Sequence, residues 1–424
     1  MSTEEKQQQG IYFLSLSVEN VRCFGEKQTL DLSDGNGKPA KWTVILGNNG
    51  TGKTTLLNAL AECLVFKSRG PVPNLSRIGK NSWKINLKFG YDYRLEDKVK
   101  TPFSIGLELQ PGGFDKEICS IYGDFNLYHF MLFGYNANRT LKKDSQLFNI
   151  IDIQNNEPFN DQNELINAEE WLLQTDYVAN KPSQVQVYYQ ERLTIVKEIL
   201  VYILPDVKRV RISEPTEKLP NPRVEFETDD GWLQLDQLSL GYQTMTAWMV
   251  DLAARMFAAY PNSPNPIAEP AVVLIDEIDL HLHPKWQRTI MSYLSERFIN
   301  TQFIVTAHSP LIVQAAEQAN IVVLKRQGDS VTIHQQEKDV QGWRIDQLLT
   351  SDLFDLGSAR SPFYENKLAQ RRQILSKPEL TDEDQAQLKV LEAEIGDLPT
   401  AETAEDIAAM NIIRRAAELL KTSS

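Results

Sequence analysis

The stretch Trp42-Thr43-Val44-Ile45-Leu46-Gly47-Asn48-Asn49-Gly50-Thr51-Gly52-Lys53-Thr54-Thr55 decides how the rest of the chain is read. Residues 42–46 are apolar or β-branched, the composition of a short buried strand. Residues 47–54 match G-x-x-x-x-G-K-[ST] at every fixed position, and Lys53 to Phe66 continues with helical spacing. Strand, glycine-rich loop and helix are the context this pattern requires. The glycines let the backbone curl so that successive N–H groups point inward at an anion. The helix that follows adds its positive end, equivalent to about half a charge. Gly47 through Thr55 is therefore the expected phosphate-binding segment, with Lys53 bridging the outer phosphates and Thr54 offering a hydroxyl to a magnesium ion.

Three further segments follow in order. Leu238-Ser239-Leu240-Gly241-Tyr242-Gln243 opens a helical stretch, and Ser239 and Gly241 suit a second helix start approached by phosphate. Alone, it is more often a helix cap than a ligand site. Val272-Val273-Leu274-Ile275-Asp276-Glu277 is an apolar strand ending in two acids. A buried parallel strand delivers such side chains to the ligand edge of a sheet, where Asp276 would bind the metal and Glu277 would polarise water. Phe303-Ile304-Val305-Thr306-Ala307-His308 sets a histidine just past another apolar strand, placed to hydrogen-bond a terminal phosphate and the attacking water.

This ordered set resembles ABC-type ATPases: Walker A at 47–54, an LSxGxQ-like signature at 238–243, Walker B at 272–277 and a switch histidine at 308. The segment Asp279-Leu280-His281-Leu282-His283-Pro284 is similar to the form found in the RecF, SMC and OLD-nuclease branch. Within it, the sequence looks most like the ATPase subunits of Septu-type and retron-associated anti-phage systems. The resemblance implies ATP and Mg2+ as cofactors, sandwiched head to tail between two protomers. Ser239 and Gly241 of one copy would then reach the phosphate held by Lys53 of the other. It places Asp279 and His283 near the dimer seam; a metal pair of His281 and His283 is the rival reading. Two departures stand out. Leu240 fills a signature position that is small in transporters, and neither Gln110 nor Gln154 suits the magnesium-binding glutamine. Within Phe133 to Arg139, Arg139 is a candidate phosphate contact or a surface arginine. Arg22 and Phe24 are candidates to flank adenine, with core packing the alternative for Phe24.

Outward from these motifs, alternating strands and helices indicate an α/β class: a P-loop ABC-type ATPase head with a mixed sheet, a helical lid insertion and a C-terminal helical extension. The expected divisions are 1–143, an N-terminal lobe with Walker A; 144–207, the insertion; 208–338, the lobe with signature, Walker B and His308; and 339–424, the extension. Thr244 to Tyr260 reads as an amphipathic helix, Trp286 to Phe298 as one helix, and Ser330 to His334 as half of a hairpin. In the extension, Ile407, Met410, Ile413, Ala417 and Leu420 fall on one stripe, for docking or for packing back on the core.

The 424 residues carry 44 Lys plus Arg against 57 Asp plus Glu, a formal net charge of −13. That opposes coating nucleic acid by bulk charge, though a local basic groove remains open. Three scattered cysteines do not make a disulfide framework, and no apolar run is long enough to span a membrane, so a cytoplasmic protein is expected. The interval from Thr54 to Ser239 has no sustained heptads, and no nuclease constellation follows His308. The expected function is a Mg2+-dependent ATPase that homodimerises through ATP and regulates an effector, such as an HNH-type nuclease, in phage defence. The alternatives are a RecF-like DNA-repair ATPase and a transporter ATPase subunit.

Overall fold

The computed structural model describes residues 10–61, 83–91, 103–109, 130–137, 165–217, 220–316, 318–335, 342–351, 353–354, 356, 360–377 and 380–395. Arg139, Gln110, Gln154, the strand expected over 117–122 and the final helix over 402–421 lie outside them. The chain divides into two compact units, 1–348 and 349–424.

In the first unit, β1 (Ile11–Glu19), β2 (Gln28–Asp31), β4 (Trp83–Tyr91) and β5 (Phe103–Leu109) form an antiparallel sheet in the order β2-β1-β4-β5. A second, six-stranded sheet runs β13-β12-β3-β11-β10-β6. Its members are β3 (Trp42–Gly47), β6 (Leu132–Tyr135), β10 (Ala271–Ile275), β11 (Thr301–Thr306), β12 (Asn320–Gln327) and β13 (Ser330–Gln335). Five of these are parallel and β13 returns antiparallel, so the sheet is mixed. Parallel strands covered on both faces read as unbroken apolar runs, and every residue of β10 and β11 is buried.

Helix α1 (Lys53–Ala61) buries Leu56, Leu57 and Leu60 in one cluster with Phe13, Leu87, Val272 and Ile304, which puts it between the two sheets. Phe13, Phe89 and Phe130 meet within that cluster, with two of the three ring pairs edge to face. Gln302 stitches the sheets together: its buried amide accepts from Phe13 N–H at 2.9 Å and donates to the carbonyls of Phe13, Leu32 and Ala40. Phe24 is fully buried in this core, which settles it as packing.

Helices α2 (Ala168–Asn180) and α3 (Gln186–Ile203) pair as a hairpin. Asn167 starts α2 by accepting the Glu170 N–H, and Glu169 and Glu170 favour its positive end. A small sheet, β7 (Arg209–Ile212), β8 (Val224–Thr228) and β9 (Gly231–Gln234), follows.

Two expected helices differ. Helix α4 spans Leu240–Ala259, four residues earlier than expected, and every residue from Thr244 to Ala254 is buried. It is an internal helix and not an amphipathic one, because neighbours cover it all round. The single helix expected over 286–298 is two, α5 (Pro284–Gln287) and α6 (Ile290–Arg297), with Thr289 in a non-helical conformation between them. A proline at the first helical position starts both α5 and α7 (Pro310–Ala315). In the second unit, helices Pro362–Leu375 and Asp382–Ile395 pair antiparallel around Ile374, Leu388 and Leu391.

Candidate functional site

The strand order puts β11 between β3 and β10, so the loop after β3, the acids after β10 and the histidine after β11 come to one sheet edge. The loop is glycine-dependent at two points. Gly47 has φ +151°, and a Cβ there would lie 2.7 Å from Thr51 Oγ1 and 3.0 Å from the Leu324 carbonyl. Gly52 has φ +90°, and a Cβ would lie 2.4 Å from Cys23 Sγ. The loop is braced from outside by Arg326, whose Nη2 donates to Gly50 O at 2.8 Å, and from inside by Thr51 Oγ1 donating to Asn48 O at 2.8 Å.

Lys53 is 7 % exposed, and its Nζ donates to the carbonyls of Gly47 at 2.7 Å and Asn48 at 3.2 Å. The loop is wound around its own ammonium. Burial pushes the Lys53 pKa below its ordinary value, opposed by the negative charges of Asp276, Glu277 and Asp279. An anion arriving there would offer the ammonium a charge-assisted bond in place of two neutral ones.

Thr54 Oγ1 donates to Asp276 Oδ2 at 2.8 Å. The other carboxylate oxygen, Oδ1, accepts from Thr306 Oγ1 at 2.6 Å, and Thr306 Oγ1 in turn accepts the Glu277 N–H at 2.7 Å. Thr306 thus holds the Asp276 carboxylate and the Glu277 backbone, and the motif reading missed it. The available signal was its place: a hydroxyl residue closing the apolar run Phe303–Val305, two residues before His308. Glu277 has φ +51°, a left-handed conformation that costs a non-glycine residue about 1–3 kcal/mol and is commonly kept where it aims a functional side chain. Its Oε1 lies 4.0 Å from His308 Nε2, and both side chains are about one-third exposed. The Asp279 carboxylate accepts the His308 N–H at 3.2–3.3 Å, holding the histidine turn from within the same chain.

Lys53, Thr54, Asp276, Glu277 and His308 are thus brought to one edge, and Asn48 and Asn49 lie exposed on the same loop. Thr55 is buried on α1. Ser239 and Gly241 stand elsewhere: among the described residues, no hydrogen bond joins either to the 47–55 loop. Ser239 occupies the N-cap of α4, is exposed, and its hydroxyl makes no capping bond. Gly241 packs under the 281–286 segment, where a Cβ would meet His281 O at 3.0 Å and the Trp286 ring at 3.2 Å. The Tyr242 and Trp286 rings lie 4.7 Å apart. His283 Nδ1 accepts the Lys285 N–H and so caps α5, and among the described residues no group of three or more His, Cys, Asp or Glu side chains could hold a metal.

A second polar cluster lies inside. Asp251 of α4, 0 % exposed, accepts from Tyr135 Oη at 2.9 Å, from Ile166 N–H at 3.2 Å and from Arg255 Nε at 2.5 Å. Burial works against the charged Arg255, but Asp251 and Tyr135 more than offset it and hold its pKa above the ordinary value. Burial, reinforced by the Asp251 charge, drives the Tyr135 phenol well above its usual range.

Two family profiles match the chain: "AAA domain, putative AbiEii toxin, Type IV TA system" over residues 122–314, and "AAA domain" over residues 15–203. The chain is 27 % identical to the Septu protein PtuA of Bacillus mycoides (strain KBAB4) over 398 residues, covering 88 % of this chain and 50 % of that protein. It therefore spans half the length of that relative. It is 28 % identical over 390 residues to the Retron Ec83 probable ATPase of Escherichia coli, covering 73 % of this chain and 71 % of that one. The SMC head domain from Thermotoga maritima superposes with a TM-score of 0.43 at 16 % identity, covering 77 % of this chain and 99 % of that one. No helix among the described residues is long and apolar enough to cross a membrane.

Proposed function

We propose that this AAA-domain chain, similar to Septu and retron ATPases, is a Mg2+-dependent ATPase of ABC type. Two copies close around ATP, and that closure controls a partner nuclease in anti-phage defence. The observation that carries the reading is the meeting of the 47–55 loop with Asp276, Glu277 and His308 at one edge. Thr54 and Asp276 are 222 residues apart in sequence yet share a hydrogen bond.

The donor set fits the groups this requires. Thr54 Oγ1 and Asp276 Oδ2 are adjacent hard oxygens of the kind magnesium takes, and Lys53 is a buried cation whose hydrogen-bond partners among the described residues are loop carbonyls. A bound magnesium ion supplies charge neutralisation on the phosphates. Lys53 exchanges the Gly47 and Asn48 carbonyls for phosphate oxygens, while the loop N–H groups and the start of α1 face the same anion. Thr306 keeps the Asp276 carboxylate turned toward Thr54. Glu277 orients a water molecule and accepts its proton, and His308 hydrogen-bonds the terminal phosphate. Ser239 and Gly241 of a second copy close the site. The exposed Ser239 hydroxyl at the positive end of α4 supports that role.

The test is ATP turnover by the purified chain beside Lys53→Ala and Glu277→Gln. Both substitutions are expected to lower turnover at least about 10²-fold, and Glu277→Gln to accumulate an ATP-bound dimer visible by light scattering. Turnover at the wild-type rate in both variants would overturn the catalytic assignment. Co-purification of the chain with the product of its neighbouring gene, with and without ATP, tests the nuclease partner.

A further inference from the structure

We infer that Asp251, clamped between Arg255 and Tyr135, is the joint through which the helix headed by Ser239 sets the position of the Asp276–Glu277 strand end. The inference rests on the proposed nucleotide sandwich, because only there does Ser239 feel the nucleotide. The links are one helix and two hydrogen bonds. Ser239 occupies the N-cap position of α4, and Asp251 lies in the buried stretch of the same helix, roughly 18 Å along its axis. Asp251 Oδ2 accepts the Tyr135 hydroxyl at 2.9 Å. Tyr135 is the last residue of β6, paired in register with Ile275, and its carbonyl accepts the Asp276 N–H at 2.8 Å. One residue therefore holds the signature helix by its side chain and the first acid by its backbone.

The joint does not slip. Asp251 is completely desolvated, and both its oxygens are bonded, with Arg255 forking across them. The Tyr135 ring is also held edge-on against Trp248 of the same helix, at 5.9 Å. A shift of α4 is carried to Tyr135 because separating the two leaves a buried carboxylate underbonded. The Ile166 N–H on the third side ties the segment entering α2 to the same point. Tyr135, Asp251 and Arg255 are positioning residues: none touches the proposed nucleotide.

Tyr135→Phe tests this. The variant loses only the hydroxyl and keeps the ring against Trp248, the carbonyl on Asp276, and the Arg255 and Ile166 bonds to Asp251. Its kcat is expected to fall about tenfold to a hundredfold, the size of a small misplacement of catalytic groups, while KM and the affinity for a fluorescent ATP analogue stay within about twofold. The thermal midpoint should fall by no more than a few degrees, from the one lost buried hydrogen bond, with the protein fully folded at the assay temperature. Arg255→Lys, which keeps the charge but loses the fork, should fall between the two. A kcat within about twofold of wild type in Tyr135→Phe, or a loss matched by weaker nucleotide binding or a smaller folded fraction, would overturn the inference. Failure here is separable from failure of the proposed function. The joint fails alone when Lys53→Ala and Glu277→Gln lose turnover as expected and Tyr135→Phe does not. The ATPase reading fails when those two variants match wild type.

Discussion

Two polar clusters lie about the end of β10, and they are built on opposite terms. The edge cluster of Lys53, Thr54, Asp276, Thr306, Glu277 and His308 is partly open, and its charged members lean on weak neutral partners: an ammonium on two carbonyls, a carboxylate on two hydroxyls. The Asp251 cluster is closed, with an acid, a guanidinium, a phenol and an amide satisfying one another. The difference teaches where capacity for a ligand resides. Groups that water or neutral partners hold can be taken over by a charged ligand, whereas breaking a desolvated, charge-paired cluster costs folding stability. The first can exchange its partners and the second holds its own.

That contrast can be broken by substitution. Glu277→Gln should have the largest effect, lowering ATP turnover by about 10²–10⁴-fold, the usual contribution of a positioned base, while the denaturant midpoint stays put. Asp251→Ala should do the reverse and cost about 3–5 kcal/mol of folding stability, because Arg255 is left as an unpaired buried charge; urea unfolding measures it. Equal stability losses in the two variants would erase the distinction. Gly52→Ala should come next. Its φ of +90° and the 2.4 Å approach to Cys23 Sγ predict loss of nucleotide binding in a titration and about 1–3 kcal/mol of strain. The smallest effect belongs to a third kind of polar contact, the exposed Arg209–Glu227 pair on the small sheet. Arg209→Ala should leave the urea unfolding midpoint close to wild type, because solvent screens the pair.

Much of the edge cluster was legible in the sequence because its order is local. A glycine loop between strand and helix, two acids after an apolar run and a histidine after another are short patterns, and strand ends in a parallel sheet share one edge. Thr306 was not legible, since a threonine closing a strand is ordinary until Asp276 and Glu277 are seen on either side of its hydroxyl. Asp251 was hidden for a similar reason. An Asp with an Arg four residues on reads as a surface pair, and only the burial of α4 makes it an internal joint. Burial of that helix also explains why its amphipathic reading failed: the polar residues of its buried stretch are the small Thr244 and Thr246 and the charge-paired Asp251. The break at Thr289 was lost because Trp286, Ile290, Met291 and Leu294 keep a near-helical apolar spacing across it.

Local chemistry alone therefore determined the α/β class, the phosphate-loop pattern and the identity of the acids, because backbone curvature at glycines and strand periodicity are encoded over a few residues. Only the tertiary structure decided which hydroxyl holds the two acids, that Phe24 is core, that Gly241 packs under His281, and that Asp251 is sealed between a helix and a strand. Those are contacts between residues tens to hundreds of positions apart, and their energies depend on desolvation, which has no value until the chain has closed around them.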